Sequence, residues 1–152
     1  MCIDMEELTV TAAEACDATD CVPSTLRAWH NRVGLLAREG GGWRRYSFAD
    51  LIAIRLMVIL TSRGMKANEA ADIVQKITPE IQKAASGGRS KIAIGRMGPE
   101  QKLAAEKIDP LASAMTALNF DDEYVQVVDL GSIAVRLHFA IQRIRNHNTE
   151  GK

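Results

Sequence analysis

The sequence predicts a mainly α chain: a helical N-terminal unit that carries one hairpin, followed by a small α+β unit. Three observations lead there. Apolar residues recur at helical spacing in several segments, most of which open on a hydroxyl residue or a proline. One glycine cluster, Glu39-Gly40-Gly41-Gly42, sits between two short extended pieces, which is a hairpin signal. Only two later stretches, "KIAIG" and "YVQVVDL", alternate like strands. The linker between the units is expected at "SGGRS", residues 86–90, which divides the chain into domains 1–85 and 86–152.

Taken in order, "TVTAAEACD" reads as a short helix with Thr9 or Thr11 as its cap. Pro23 suits a first helical position, so a second helix runs from about Pro23 to Asn31. On its wheel Ser24, Arg27, Ala28 and Asn31 share one face, and Leu26, Trp29, His30 and Val33 share the other. One side can dock on a core, and the polar side is left to be presented. In the hairpin that follows, Trp43 and Arg45 point one way and Arg44 and Tyr46 the other. Ser47 with Asp50 opens a third helix, Phe48 to Ser62, which is apolar almost all round and so belongs at the centre of the core. Gly64 ends it, and a fourth helix runs from Lys66 or Asn68 to about Ile77. Beyond the linker, "KIAIG" is a strand, Pro99 and Pro110 each suit the start of a short helix within residues 99–118, and "YVQVVDL" (124–130) is a second strand. A last helix is expected from Ser132 to about Asn146.

Composition removes several functional classes. A hydrophobic share of 47% with 25% charged residues is that of a globular chain, and no apolar run reaches the ~20 residues of a membrane span. The acidic start "MCIDMEEL" lacks the features of a signal peptide, which makes the cytoplasm the expected compartment. Cys2, Cys16 and Cys21 form no C-x-x-C pair and enclose no histidine, so neither a disulfide framework nor a metal site is expected. Net charge is zero, yet unevenly spread: residues 24–66 hold seven arginines and one lysine against Glu39 and Asp50, a local excess of +6. A patch of this kind attracts a polyanion even on a neutral molecule.

These features together resemble the MerR family of bacterial transcription regulators. The resemblance is carried by Thr25-Leu26-Arg27, the aromatic Trp29, Gly34-Leu35-Leu36, Arg44 with Tyr46, the helix start Ser47–Asp50–Leu51, and Gly64 before a short helix, over about residues 9–77. It implies a winged helix-turn-helix that binds double-stranded DNA, with the second helix in the major groove and the glycine-rich hairpin as a wing on the flanking backbone. The residues it places at DNA are Ser24, Thr25, Arg27, Ala28, Asn31 and Arg32 on the helix, Arg44, Arg45 and Tyr46 on the wing, and Arg63 with Lys66 in the turn after the third helix. Two positions depart from the family pattern: Val22 stands where a Ser or Thr cap is usual, and Ala28 where a second aromatic is frequent.

The C-terminal unit does not continue as a long heptad helix, so the device that makes the expected homodimer differs from the family's. The last helix is the candidate. Ile133, Leu137, Ala140, Ile141 and Ile144 form one stripe, Val135 and Phe139 lie nearly opposite, and a helix apolar on two sides wants two partners. No cysteine follows residue 88, and only Phe120, Tyr124 and Phe139 are aromatic beyond the reader half. A thiolate metal sensor and a large aromatic pocket are therefore not expected; a small ligand or a protein partner at this unit is left open. No enzyme motif is present, no cofactor is expected, and Asp121-Asp122-Glu123 reads as a solvated loop. The expected role is a homodimeric, sequence-specific regulator associated with the nucleoid. Its rivals are a phage-type or excisionase-like architectural DNA binder and a protein-interaction module on the same winged fold.

Overall fold

A computed structural model describes residues 8–36, 44–108 and 125–150. The tip of the expected hairpin at 37–43, the expected helix start at Pro110 and the acidic cluster 121–123 lie outside them. In chain order the described elements are β1 (Thr9–Val10), α1 (Ala12–Thr19), α2 (Pro23–Arg32), β2 (Tyr46–Ser47), α3 (Phe48–Ser62), α4 (Ala67–Lys76), α5 (Thr78–Ala85), β3 (Lys91–Met97), β4 (Lys102–Ile108), β5 (Gln126–Asp129) and α6 (Leu130–Glu150).

Local chemistry sets the helix starts. Thr11 caps α1: its hydroxyl accepts from Glu14 N–H at 3.3 Å, and the Glu14 carboxylate accepts from Thr11 N–H at 2.8 Å. Thr9, the other candidate cap, lies instead in β1, where it pairs with Ser47 of β2. Ser47 caps α3 in the same reciprocal manner through Asp50, at 3.2 and 2.8 Å. Leu51, Ile52, Ile54, Leu56, Met57 and Leu60 of α3 are entirely buried. The helix is enclosed by α1, α4, α5, α6 and β2, the central position that its all-round apolar sequence predicts.

Two expectations are corrected. The helix expected from Pro99 onward is a strand over 102–108. Pro99 occupies the second place of a turn in which Gln101 N–H donates to Gly98 O at 3.0 Å, and that turn reverses the chain so that Met97 faces Lys102 and Lys91 faces Ile108 across an antiparallel ladder. Proline here starts a turn, not a helix. The second correction is α5, for which the sequence reading has no element, since it ends the fourth helix at about Ile77. It opens on Thr78-Pro79, directly after Ile77 closes the preceding helix. α6 also begins two residues before Ser132 and runs to Glu150.

The C-terminal sheet has the order β4-β3-β5, all antiparallel. Residues 86–88, at the expected domain boundary, form the turn that leads into it. Gly87 adopts φ +83°, and a Cβ on Gly88 would lie 2.8 Å from the Lys83 carbonyl. Burial runs across this boundary: one continuous apolar cluster includes Leu8, Leu26, α3, α4 and α5 together with Ile92, Ile94, Leu130, Ile133, Leu137 and Ile141. α6 thus packs on α1, α3 and α5 of the N-terminal half. No helix among the described residues is long and apolar enough to cross a membrane.

Candidate nucleic-acid interface

α2 divides its side chains as its periodicity requires. Leu26 and Trp29 are buried at 3% and 7% exposure and anchor the helix. Ser24, Arg27, Asn31 and Arg32 are exposed, and Thr25 and Ala28 are half-buried between them. Val22 precedes the helix with extended backbone (φ −67°, ψ 134°) and makes no side-chain cap. The first turn therefore keeps unsatisfied N–H groups at the positive end of the helix dipole. At the other end, Gly34 (φ +64°) and Leu36 (φ +53°) turn the chain sharply, and Leu35 N–H donates to Trp29 O at 3.2 Å.

His30 fastens this turn to β2. Its Nδ1 lies 2.7 Å from Leu35 O and its Nε2 2.9 Å from the Tyr46 hydroxyl. A carbonyl only accepts, so Nδ1 carries the proton and the Tyr46 hydroxyl donates to Nε2. The two rings stack with centroids 5.9 Å apart. Arg44 completes the layer: its guanidinium lies 5.6 Å from the centre of the Tyr46 ring and donates to Leu36 O. Tyr46, expected at the DNA surface, is instead 2% exposed and a member of the core. Its aromatic body belongs to the core cluster and its hydroxyl is engaged by His30. Of the two arginines before β2, Arg45 is exposed while Arg44 is half-buried.

Arg45 is also held. Its Nε donates to Thr9 Oγ1 at 3.0 Å and its Nη2 to Thr9 O at 3.1 Å. Arg145 of α6 reaches the same carbonyl at 3.4 Å, so the residue before β2, β1 and the C-terminal helix meet at Thr9. No local sequence pattern marks this junction, which joins residues 136 positions apart. Arg63 and Lys66 are exposed in the α3–α4 turn, where Gly64 (φ +91°) reverses the chain. Arg55 is held within the fold as well: it donates to Thr19 O at 3.1 Å and pairs with Asp20 at 2.9 Å.

The residues expected to make a dimer separate into two groups. Ile133, Leu137 and Ile141 are 7%, 2% and 2% exposed, and Ile144 is half-buried against the same core. That stripe packs against the chain's own α1, α3 and α5. Val135 and Phe139 remain exposed, at 57% and 59%.

Two thiols are buried. Burial pushes Cys21 up to about 11, with the neighbouring Cys16 adding to the shift; Cys16 is raised by burial first and by Asp17 second. Among the described residues no group of three His, Cys, Asp or Glu side chains is placed to hold a metal ion.

Comparison with known proteins bears on the same segment. Residues 10–77 match the family described as MerR HTH family regulatory protein. No curated protein matches the chain.

Proposed function

We propose that this chain, whose residues 10–77 are a MerR-family helix-turn-helix domain, is a DNA-binding transcription regulator that reads a specific duplex sequence as a homodimer. In this reading α2 enters the major groove. Arg27 and Asn31 face base edges or the phosphates that border them, since a guanidinium suits guanine and phosphate and a carboxamide suits adenine. The exposed first turn, with Ser24 and Thr25, approaches a phosphate. Arg32, Arg45, Arg63 and Lys66 contact backbone, and the hairpin between residues 36 and 44 acts as the wing. Arg44 and Tyr46 serve mainly by fixing that hairpin to the end of α2. Such a regulator works on the nucleoid in the cytoplasm.

The observation that carries the reading is the division of α2: a polar face of Ser24, Arg27 and Asn31 stands in solvent while Leu26 and Trp29 hold the helix from behind. That face carries Arg27 and Arg32 with no acidic residue on the helix, which suits a polyanion. The test is selection of bound duplexes from a randomised library. Enrichment of a pseudo-palindrome with half-sites about one or more helical turns apart is expected from two α2 helices related by a twofold axis. Recovery of unrelated sequences would refute sequence-specific reading.

A further inference from the structure

The "SGGRS" stretch lies against the start of α6 and does not act as a linker between separate units. Gly87 and Gly88 close α5: Gly87 N–H donates to Ala84 O at 3.1 Å and Gly88 N–H to Lys83 O at 2.9 Å. Ser90 O then accepts from Leu130 N–H at 2.9 Å, which ties the stretch to α6. Between the two lies a cavity of about 570 Å³, a size common among small-molecule sites. Gly87, Gly88 and Gly131 leave room in its walls, and Ala84, Ala134 and Val135 give it an apolar side. Val135 on that side is exposed.

Four charged residues line the cavity: Arg89, Lys91 and Arg136 against Asp129, which leaves the lining at +2. Asp129 is already engaged. Its Oδ1 accepts from Ser132 N–H at 3.0 Å, and its Oδ2 pairs with Lys91 at 3.8 Å. Glu80, behind Ser90, accepts from the Ser90 hydroxyl at 2.6 Å and pairs with Lys107 at 3.7 Å, and it is not part of the lining. Arg89 and Arg136 remain. Both are exposed, and neither side chain makes a hydrogen bond or ion pair among the described residues. One comes from the loop after α5 and the other from the second turn of α6. The first N–H groups of α6 are taken by Ser90 O and Asp129, so the guanidinium groups and not the helix end supply the attraction. A guanidinium meets a carboxylate or a phosphate through two parallel N–H···O bonds. Two of them at a cavity with an apolar side suit a molecule with two negative charges on a short carbon body. The walls come from α5, β3, β5, α6 and the loop after α5, and include nothing from α2 or β2, so the cavity is no part of the surface assigned to duplex DNA.

We propose that this cavity binds a small organic dianion, a dicarboxylate or a phosphate monoester, with Arg89 and Arg136 as its two anchors and Val135 against its carbon body. The lining residues lie outside the segment matched to the MerR family, and the site is independent of the DNA-binding reading, so each can fail without the other. Isothermal titration of the full-length chain at constant ionic strength tests it. Succinate and glycerol 3-phosphate are the probes, and circular dichroism verifies that each variant is folded. Saturable binding of at least one probe is expected, with a dissociation constant of about 1 mM or tighter. Tighter succinate assigns the site to carboxylates and tighter glycerol 3-phosphate to phosphate esters; either upholds the proposal. Arg89→Ala and Arg136→Ala should each weaken binding by about tenfold or more, and Val135→Glu, which sets a carboxylate against the ligand, should do the same. Arg143→Ala, on the same helix but outside the cavity, should bind as the wild type does. No saturable binding of either probe, an Arg89→Ala/Arg136→Ala double variant as tight as the wild type, or an Arg143→Ala loss as large as that of Arg136→Ala would overturn the proposal.

Discussion

α2 and α6 are both amphipathic helices anchored on one core, and they differ in what they leave outside. α2 has a single apolar side, formed by Leu26 and Trp29, and its opposite face is polar and basic. α6 is twice as long, buries Ile133, Leu137 and Ile141, and still exposes Val135 and Phe139. Charge without apolar surface suits a hydrated polyanion, whose phosphates are met by guanidinium groups and water. The start of α6 sets apolar Val135 beside Arg136 at a cavity, which suits a small organic anion. One scaffold therefore presents two surfaces of different chemistry, and the two can be altered independently because the core separates their anchors.

Truncating those anchors should give the largest effect. Leu137→Ala in α6 and Leu26→Ala in α2 each remove a buried side chain, at 2% and 3% exposure, and should each lower stability by about 2–5 kcal/mol in chemical denaturation. Phe139→Ala in dilute solution, where the subunit is on its own, should change it by less than about 0.5 kcal/mol. Similar losses at Leu137 and Phe139 under those conditions would mean that α6 has no free face.

The junction behind α2 comes next. Tyr46→Phe keeps the ring and removes the hydroxyl that donates to His30 Nε2. A loss of about 1 kcal/mol in unfolding free energy is expected, together with weaker binding to all duplexes alike, because β2 is then less firmly tied to α2. An unchanged unfolding curve would show that the hydroxyl is idle. Of comparable size and opposite sign is Val22→Ser. Val22 already has the backbone geometry of an N-cap and lacks only the acceptor, so serine should stabilise α2 by about 0.5–1 kcal/mol, read as a rise in the denaturation midpoint.

The smallest effect concerns the thiols. Because the folded-state pKa of Cys21 is raised to about 11, its protonated form is favoured by folding. The corresponding stability is fully present below the unfolded thiol's pKa of 9.0 and is lost as pH rises from there through about 11. At pH 8 alkylation of Cys21 should accordingly be at least about a hundredfold slower in the folded chain than in urea, as read by peptide mapping. Equal rates would place that thiol at the surface.

The sequence made α2 and α3 legible because their signals are local. Pro23 at a first helical position, the Ser47–Asp50 cap and the spacing of Leu26 and Trp29 all act within one or two turns, and the structure keeps α3 at Phe48–Ser62 as its caps and periodicity require. Where two local rules compete, the reading failed. Pro99 fits a helix start or the second place of a turn equally well, and only the partner strand β3 decides between them. Tyr46 was misplaced for a related reason. Strand alternation assigns it to a face but does not say which face is covered, and the cover is His30, sixteen residues earlier in the chain. The Thr9 junction was beyond reach, since an arginine on the last helix carries no mark in sequence of the carbonyl it will find. For α6 the two stripes could be seen; which of them the subunit would cover depended on how α1, α3 and α5 assemble.

The claim that organises this account is that the face of α2 exists to meet duplex DNA. Its most direct measurement is the affinity of the full chain for a selected duplex between 50 and 200 mM salt, for the wild type and for Arg27→Ala. If about six phosphates are neutralised, wild-type affinity should fall by about 10³ across that range, and Arg27→Ala should bind more weakly at each salt concentration while folding as the wild type does. Binding that does not respond to salt, or an Arg27→Ala protein as tight as the wild type, would contradict it.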